Sequence, residues 1–578
     1  MSKTPNYDSK IKTILDALEP GERVCELTGE KWMMDEEEIS WYKKFNVPPT
    51  QVSPYTRACL CFSWGVGCQW WWNKHPETSK PILSHVHPTT GYKVLPDKEW
   101  HDLDLSSQGR EVDLSQPIAK QLYHLFLDTP LPAQRNTAVP ERSIAITSLG
   151  DIDSYFVLGS KTRNSFFCTT TTEVENCAEC YHVHHASNSL KVVHSSNIHK
   201  GVYVRESSEC LDCAYIFDCR NCEHCFGATN KRNKKYLWFN EQLSEEEYNK
   251  RRSAVDLSKR SIFEEMKAKF YQLMIKDTVW PENFNEHAEN CSGEYISDST
   301  NCKRCFFARN AMNSEESSYM FHTGSEDVYS AHGMVGSSEL YYTVTTINCR
   351  NIKFSITCSD SQNLEYCSTC FNCEDCFGCV GLKHKSYHIF NKAYQPDEYF
   401  ILLDQIKCKM LDEGTYGNFL PAKWSYSYVP DSAARFFMHM EDELIDKLNI
   451  KKFDPKDDGA LGELSDVEPV SADQIPDDIN DVDVEQWAGK PIYDEKLGRP
   501  FAFLKPELLF YKKNGLFPPN NHFIQRIKDM YFGANGFSFS SAVCSECEKE
   551  IMVAKNIEFP ERKFLCKACY LKYLEQYG

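Results

Sequence analysis

The sequence lacks any apolar run approaching the ~18 residues of a spanning helix, which excludes a helical membrane protein. Its opening, MSKTPNYDSK, has no apolar h-region, so no secretory signal is expected. Positive charge is also short. There are 64 Lys+Arg against 83 Asp+Glu, a net of −19, which argues against non-specific coating of nucleic acid or anionic membrane. Cysteine is abundant, 27 in 578 residues, yet too dilute for a small disulfide scaffold. A cytoplasmic setting is therefore expected (host cytoplasm if the protein is viral), with cysteines as buried thiols or metal ligands.

Hydrophobic residues make up 41% and aromatics 13%, enough for a packed core. The length allows about four domains or one long repeat array. The acidic excess is local: 453–487 holds twelve acids and one lysine.

Internal repetition is the main signal. DSYFV at 153, NCAECYHV at 176, NIHKGVYV at 197 and NCEHCFG at 221 follow one another at 21–24 residues. NCKRCFF at 301, SEDVYS at 325, NCRNIKF at 348 and NCEDCFG at 372 repeat the plan, and further copies interleave. Short β-branched or aromatic stretches bounded by Ser, Asn, Asp or Gly predict strands. The expected fold is mainly β, a β-solenoid of ~23-residue coils in two blocks. Asn176, Asn197 and Asn221 are expected to stack, as are Asn301, Ser325, Asn348 and Asn372. Both blocks end alike: Cys219–Tyr248 and Cys370–Tyr399 share thirteen of 30 positions at an offset of 151.

The expected organisation is a degenerate zinc-finger-like region (1–140), a first solenoid block (141–240), a helical insertion (241–285), a second block (286–391), a helical or irregular cap (392–450), an acidic linker (451–487) and a zinc-ribbon-like domain (488–578). The insertion starts with a capping box at Ser244 and Glu247. The terminal domains are expected to be small α+β elements.

Cys544-Ser-Glu-Cys547 and Cys566-Lys-Ala-Cys569 supply two Cys-x-x-Cys knuckles eighteen residues apart. Four thiolates at such spacing select Zn²⁺ in a closed structural site. Cys-x-x-Cys runs also fill the coils, notably Cys219/Cys222/Cys225 and Cys367 to Cys379. Packing is the favoured reading, because residues three apart on a strand face opposite sides, and converge on a metal only across a turn.

Gly91-Tyr92-Lys93-Val94…Trp100 and Cys376-Phe-Gly-Cys379…Lys385-Ser-Tyr387-His-Ile389-Phe390-Asn391 carry a resemblance, with Ile475-Pro-Asp-Asp-Ile479 and Lys505-Pro-Glu-Leu-Leu-Phe-Tyr511. The chain resembles, over nearly its whole length, an uncharacterised cysteine-rich family of candidate-phylum bacteria and large viruses. Its members pair zinc-finger-like termini with NC-x-x-C coils. The resemblance implies paired cysteines where this chain has Cys25 with Thr28, Ser53 with Thr56, His75, and Asp494, so the N-terminal site reads as eroded. Cys59, Cys61, Cys68, His75, His85 and His87 are candidates for a substitute site, with packing favoured. Trp70-Trp71-Trp72 reads as a core plug. Some family members carry a CoA-transferase label; the sequence offers neither the fold pattern nor a nucleophile for it.

No catalytic or cofactor-binding residue is nominated beyond the zinc ligands. The expectation is a non-catalytic binding or scaffold protein with a macromolecular partner, in the first place a protein. One alternative is a metal-dependent enzyme on the solenoid face, using His182, His184, His185, His194, His199, Asp212 and Asp218. The other is local nucleic-acid binding through Lys231, Arg232, Lys234, Lys235, Lys383, His384, Lys385 and the ribbon.

Overall fold

The computed structural model describes residues 2–65, 70–136, 139–321, 324–450, 452 and 468–578. The acidic stretch therefore lies partly outside the described residues, as does Cys68. The fold is strand-rich. The chain forms two units, both discontinuous in sequence. One comprises Met1–Ala133, Phe284–Asp457 and Phe537–Phe539; the other comprises Gln134–Asn283, Asp458–Gly536 and Ser540–Gly578. The N-terminal region thus folds with the second block, and the C-terminal region with the first.

Each block is a ladder of short parallel strands. The hydrogen-bonded neighbour of a residue lies twelve positions on for most of its length. Leu190 pairs with Val202, Val202 with Ala214, and Ala214 with Phe226. In the second block Ser338 pairs with Arg350, Arg350 with Gln362, and Gln362 with Glu374. Steps of 11 and 14 occur near the starts. The ~23-residue period is corrected accordingly: it spans two steps of the ladder, and the interleaved copies are the immediate neighbours.

The backbone conformation sets this period. From Glu173 to Lys200 every third residue is left-handed, with φ between 46 and 56°. Such residues normally cost an L-amino acid ~1–2 kcal/mol, least for Asn and Asp. Here the N–H of the left-handed residue still enters the ladder, as Asp212 donates to the His199 carbonyl and Asn221 to that of Ser208. With one turn per triplet, every third side chain points inward. Cys168, Cys177, Cys180, Val183, Val192, Ile198 and Val204 share one core with Cys210, Cys213 and Ile216. The second block builds its core the same way, from Val328, Leu340 and Ile352 to Cys367, Cys370, Cys373, Cys376 and Cys379.

Asparagines stack as expected in kind but with other partners. Asn221 donates to Asn233 at 2.7 Å, Asn290 to Asn301 at 2.8 Å, and Asn301 to Asn313 at 3.1 Å. The expected columns separated by 21–24 residues skip a rung and are not formed. Ser244 caps the helix Glu245–Ser253, whose first turn is acidic and last turn basic, the charge order that complements the helix dipole. The helix Arg260–Lys276 follows and buries Phe263, Met266, Phe270 and Met274 at helical spacing.

The N-terminal region carries two antiparallel hairpins, Gly21–Val24 with Lys31–Met34 and Trp71–Lys74 with Pro81–Ser84. Between them lie the helices Glu36–Phe45 and Pro54–Ser63. In the C-terminal region a hairpin of Ile492–Asp494 and Arg499–Phe501 precedes the helices Lys505–Asn514 and Phe523–Phe532. A second hairpin, Asn535–Val543 with Glu550–Asn556, then leads to the terminal helix Lys567–Tyr577. Among the described residues no helix is long and apolar enough to cross a membrane.

Candidate metal centre

The four cysteines nominated at the C-terminal end converge. The sulfurs of Cys544, Cys547, Cys566 and Cys569 lie within 4.8 Å of one another, an arrangement able to hold a metal ion. Local structure places them. Cys544 and Cys547 lie in the turn joining two strands, where Cys544 N–H donates to Lys549 O and Glu548 N–H to Cys544 O. Glu548 takes the left-handed conformation, at φ 61°. Cys566 is the N-cap of the terminal helix and Cys569 sits in its first turn. The Cys566 backbone N–H donates to Cys544 Sγ at 3.3 Å, and Cys547 Sγ stands 3.7 Å from Cys566 Sγ.

Burial works against ionising Cys544, but the N–H groups of Cys566, Cys547 and Glu546 outweigh it and bring this thiol down to about 6. A ligand thiol has to be ionised, so these donors favour metal binding. The site is tied to the rest of its unit. The strand Lys563–Leu565 pairs in parallel with Val279–Pro281. Tyr570, next to Cys569, donates its hydroxyl to the buried carboxylate of Asp218. Asp218 also receives Asn230 Nδ2 at 2.9 Å and Arg232 at 3.0 Å.

Coil cysteines do not assemble in this way. Among the described residues no second cluster of His, Cys, Asp or Glu has the geometry for a metal. Each coil thiol instead donates to the carbonyl two residues back and, in many cases, to one nine residues on: Cys367 to Glu365 and Cys376, Cys370 to Ser368 and Cys379. Burial raises several of them well above the ordinary thiol range, as at Cys358 and Cys367, whereas hydrogen bonds from neighbouring thiols lower Cys222, Cys302 and Cys373. Packing is thus their observed role. The left-handed residue between successive cysteines turns them all inward, so strand alternation does not apply.

The substitute N-terminal site is not assembled among the described residues. Cys59 and Cys61 are buried in the helix Pro54–Ser63. His75 Nε2 bonds Glu99 at 3.0 Å. His85 and His87 are buried, and His87 packs on Trp71 with centroids 4.4 Å apart. Trp70 and Trp71 are buried, consistent with a core plug.

The histidines of the proposed enzymatic face lie in the first block. His182 is 5.6 Å from His184 and 5.7 Å from His194 between ring centroids. The others pair along the twelve-residue step: His185 with Glu173 at 3.0 Å, His194 with Glu206 at 3.1 Å, His199 with Ser187 at 2.6 Å, and Asp212 with His224 at 2.9 Å. The basic loops are also engaged internally. Lys231 reaches the Tyr577 carbonyl, and Lys235 pairs with Glu223. Lys383 caps the carbonyls of Trp100 and His101, and Lys385 bonds Asp104.

Two buried ion pairs escaped the sequence reading. Arg57 binds Glu38 at 3.2 Å, with both side chains almost wholly buried, and its other contacts are the hydroxyls of Tyr42 and Tyr329. In the other unit Arg526 binds Glu507 at 3.1 Å and Glu179 at 3.3 Å, with the Tyr511 hydroxyl at 3.1 Å. The available signal was the recurrence of Glu-x-x-x-Tyr-Lys-Lys at 38 and 507.

No family model, curated protein or solved structure matches the chain.

Proposed function

We propose that the protein is a non-catalytic binding or scaffold protein, built on two β-solenoid blocks and stabilised at its C-terminal end by one structural zinc ion. The observation that carries this reading is the closed donor set at Cys544, Cys547, Cys566 and Cys569. Four thiolates fill a tetrahedron and leave no position for substrate, the pattern of structural rather than catalytic zinc. A Zn–S bond of about 2.3 Å sets the sulfurs of a tetrahedron about 3.8 Å apart; Cys547 and Cys566 stand at 3.7 Å. The twelve-residue parallel step supports the solenoid reading, and a repetitive rigid ladder suits partner binding. The finger keeps Val543, Met552 and Leu571 more than half exposed, apolar groups suited to a protein partner. Membership of the cysteine-rich family belongs to the same proposal, supported by the motifs quoted above.

The internal ion pairs of the basic loops weaken the nucleic-acid reading, and the rung-to-rung pairs of His185, His194 and His199 weaken the enzymatic one. Cross-linking mass spectrometry of the full chain in its source cells tests the proposal, with Met552→Glu/Leu571→Glu alongside. Cross-links from 540–578 to a partner protein, lost in the variant, are expected. A purified protein that turns over a small substrate and cross-links to no macromolecule would overturn it.

A further inference from the structure

The turn that carries Cys544 is one of four. In each, residue i accepts a hydrogen bond from the N–H of residue i+4: Cys25 from Gly29 at 2.8 Å, His75 from Ser79 at 2.9 Å, Asp494 from Gly498 at 2.8 Å, and Cys544 from Glu548 at 3.0 Å. In each, residue i+4 is left-handed, with φ between 57 and 74°. Each turn is followed by a helix whose N-cap or first turn closes on it. These N-caps are Ser53, Pro96, His522 and Cys566.

The numbering is regular. His75 lies 50 residues after Cys25, and Cys544 lies 50 after Asp494. The pair at 494 and 544 follows the pair at 25 and 75 at an offset of 469. Helices obey the same offset: Glu36–Phe45 corresponds to Lys505–Asn514, and Pro54–Ser63 to Phe523–Phe532. The buried Glu38–Arg57 pair maps onto Glu507–Arg526. With the offset of 151 between the ends of the two blocks, each unit holds one copy of the whole plan.

At three of the turns the donor sets match and only the accepting atom differs; at His75 the Glu99 carboxylate stands in for the N-cap N–H, which Pro96 lacks. Cys544 Sγ takes the N–H groups of Glu546, Cys547 and the N-cap Cys566. Cys25 Sγ takes those of Leu27, Thr28 and the N-cap Ser53. Asp494 takes Lys496 and Leu497 on Oδ1, and the N-cap His522 on Oδ2. His75 Nδ1 takes Glu77 and Thr78, while Nε2 bonds Glu99 in the helix first turn. Where a metal would join turn to helix, the Cys25 turn has Ser53 Oγ bonded to Thr56 Oγ1 at 2.9 Å and to Glu30 at 2.5 Å.

We infer that the Cys25 turn is a metal-binding turn whose metal has been replaced by the hydroxyls of Thr28, Ser53 and Thr56, so that returning thiols to these three positions recreates a tetrathiolate site for Zn²⁺ or Co²⁺. This rests on the reading of the Cys544 cluster as a metal site, but the two fail separately. Ser53 and Thr56 are fully buried and Cys25 nearly so. The backbone that aims four side chains at one point is already in place. Glu30 is the one group unsuited to a dianionic site; its counterpart at Cys544 is Lys549.

The test is cobalt(II) loading of the full chain, read by elemental analysis and by the thiolate-to-cobalt charge-transfer band. The proteins are wild type, Thr28→Cys/Ser53→Cys/Thr56→Cys, and the same triple variant with Glu30→Lys. One cobalt per chain is expected for wild type and two for either variant, with a twofold stronger band. Wild type with no cobalt would sink the reading of Cys544, and a variant gaining one cobalt over it would still support the inference. Both variants equal to wild type would overturn the inference. Hydrogen exchange on wild type with a chelator gives a check that needs no variant: 544–569 should lose protection while 25–56 keeps it, and loss at 25–56 would overturn the replacement.

Discussion

Tyr570 donates its hydroxyl to Asp218, a carboxylate buried in the first block. Together with Lys231, which reaches the Tyr577 carbonyl, this hydrogen bond ties the helix that bears two thiols of the metal cluster to the ladder. Its partners are arranged so that removing it leaves Asp218 still paired with Arg232 and Asn230.

Tyr570→Phe should therefore cost about 1.5–3 kcal/mol, the usual worth of a hydrogen bond to a charged acceptor. Faster amide exchange across Lys567–Tyr577 measures it. Asp218→Ala should cost more, because it also strands the partly buried Arg232. Equal effects would contradict this ranking.

The Arg57–Glu38 and Arg526–Glu507 pairs are buried in separate units, so their effects should be separable. Arg57→Met and Arg526→Met should each destabilise by about 3–5 kcal/mol, leaving a carboxylate buried without its partner. Segment-resolved hydrogen exchange in denaturant should show Arg57→Met loosening Glu36–Phe45 and Pro54–Ser63. Arg526→Met should loosen Lys505–Asn514 and Phe523–Phe532. Effects that do not respect the units would contradict the duplication.

What could be read from the residues follows from how directly spacing encodes geometry. Cys544, Cys547, Cys566 and Cys569 were legible because a knuckle and a helix start both place i and i+3 on one side. The hydroxyls of Ser53 and Thr56 were not, since hydrogen bonding imposes no distinctive spacing. Strands were legible as strands. Their period was not, because a left-handed residue in each triplet sends every third side chain inward, where a plain strand would send every second. Two twelve-residue steps lie close to 23, so the copies that look alike, as at Asn197 and Asn221, stand two rungs apart. The swapped assembly, first block with the C-terminal region, is a matter of tertiary contact that no local pattern carries.

Gly293 and Gly29 both have positive φ, yet should respond differently to alanine. A Cβ on Gly293, at φ +128°, would stand 1.9 Å from the Cys305 carbonyl oxygen; one on Gly29, at φ +74°, would meet nothing within 4 Å. Gly293→Ala should cost on the order of 4 kcal/mol, from backbone overlap. Gly29→Ala should cost about 1–2 kcal/mol, the left-handed penalty alone. Unfolding midpoints of the two variants compare them.

His332 is fully buried between Phe62, at 4.9 Å, and Ser318, whose hydroxyl lies 2.9 Å from Nδ1. Burial, assisted by Arg57, lowers its pKa from 6.5 to about 3. The folded protein refuses a proton that the unfolded chain accepts below 6.5, so stability is full above that pH and declines as pH falls from 6.5 toward 3. His332→Phe should flatten the acid limb of a pH series of unfolding midpoints. An unchanged slope would contradict the assignment.

The most direct test of the account is the metal content of the purified full chain, with Cys544→Ser/Cys547→Ser beside it. One zinc per chain, absent from the variant, is the predicted result. It would fit coil cysteines that pack and three turns held by hydrogen bonds. Two or more metal ions per chain, or any iron with acid-labile sulfide, would contradict it and make the coil thiols ligands.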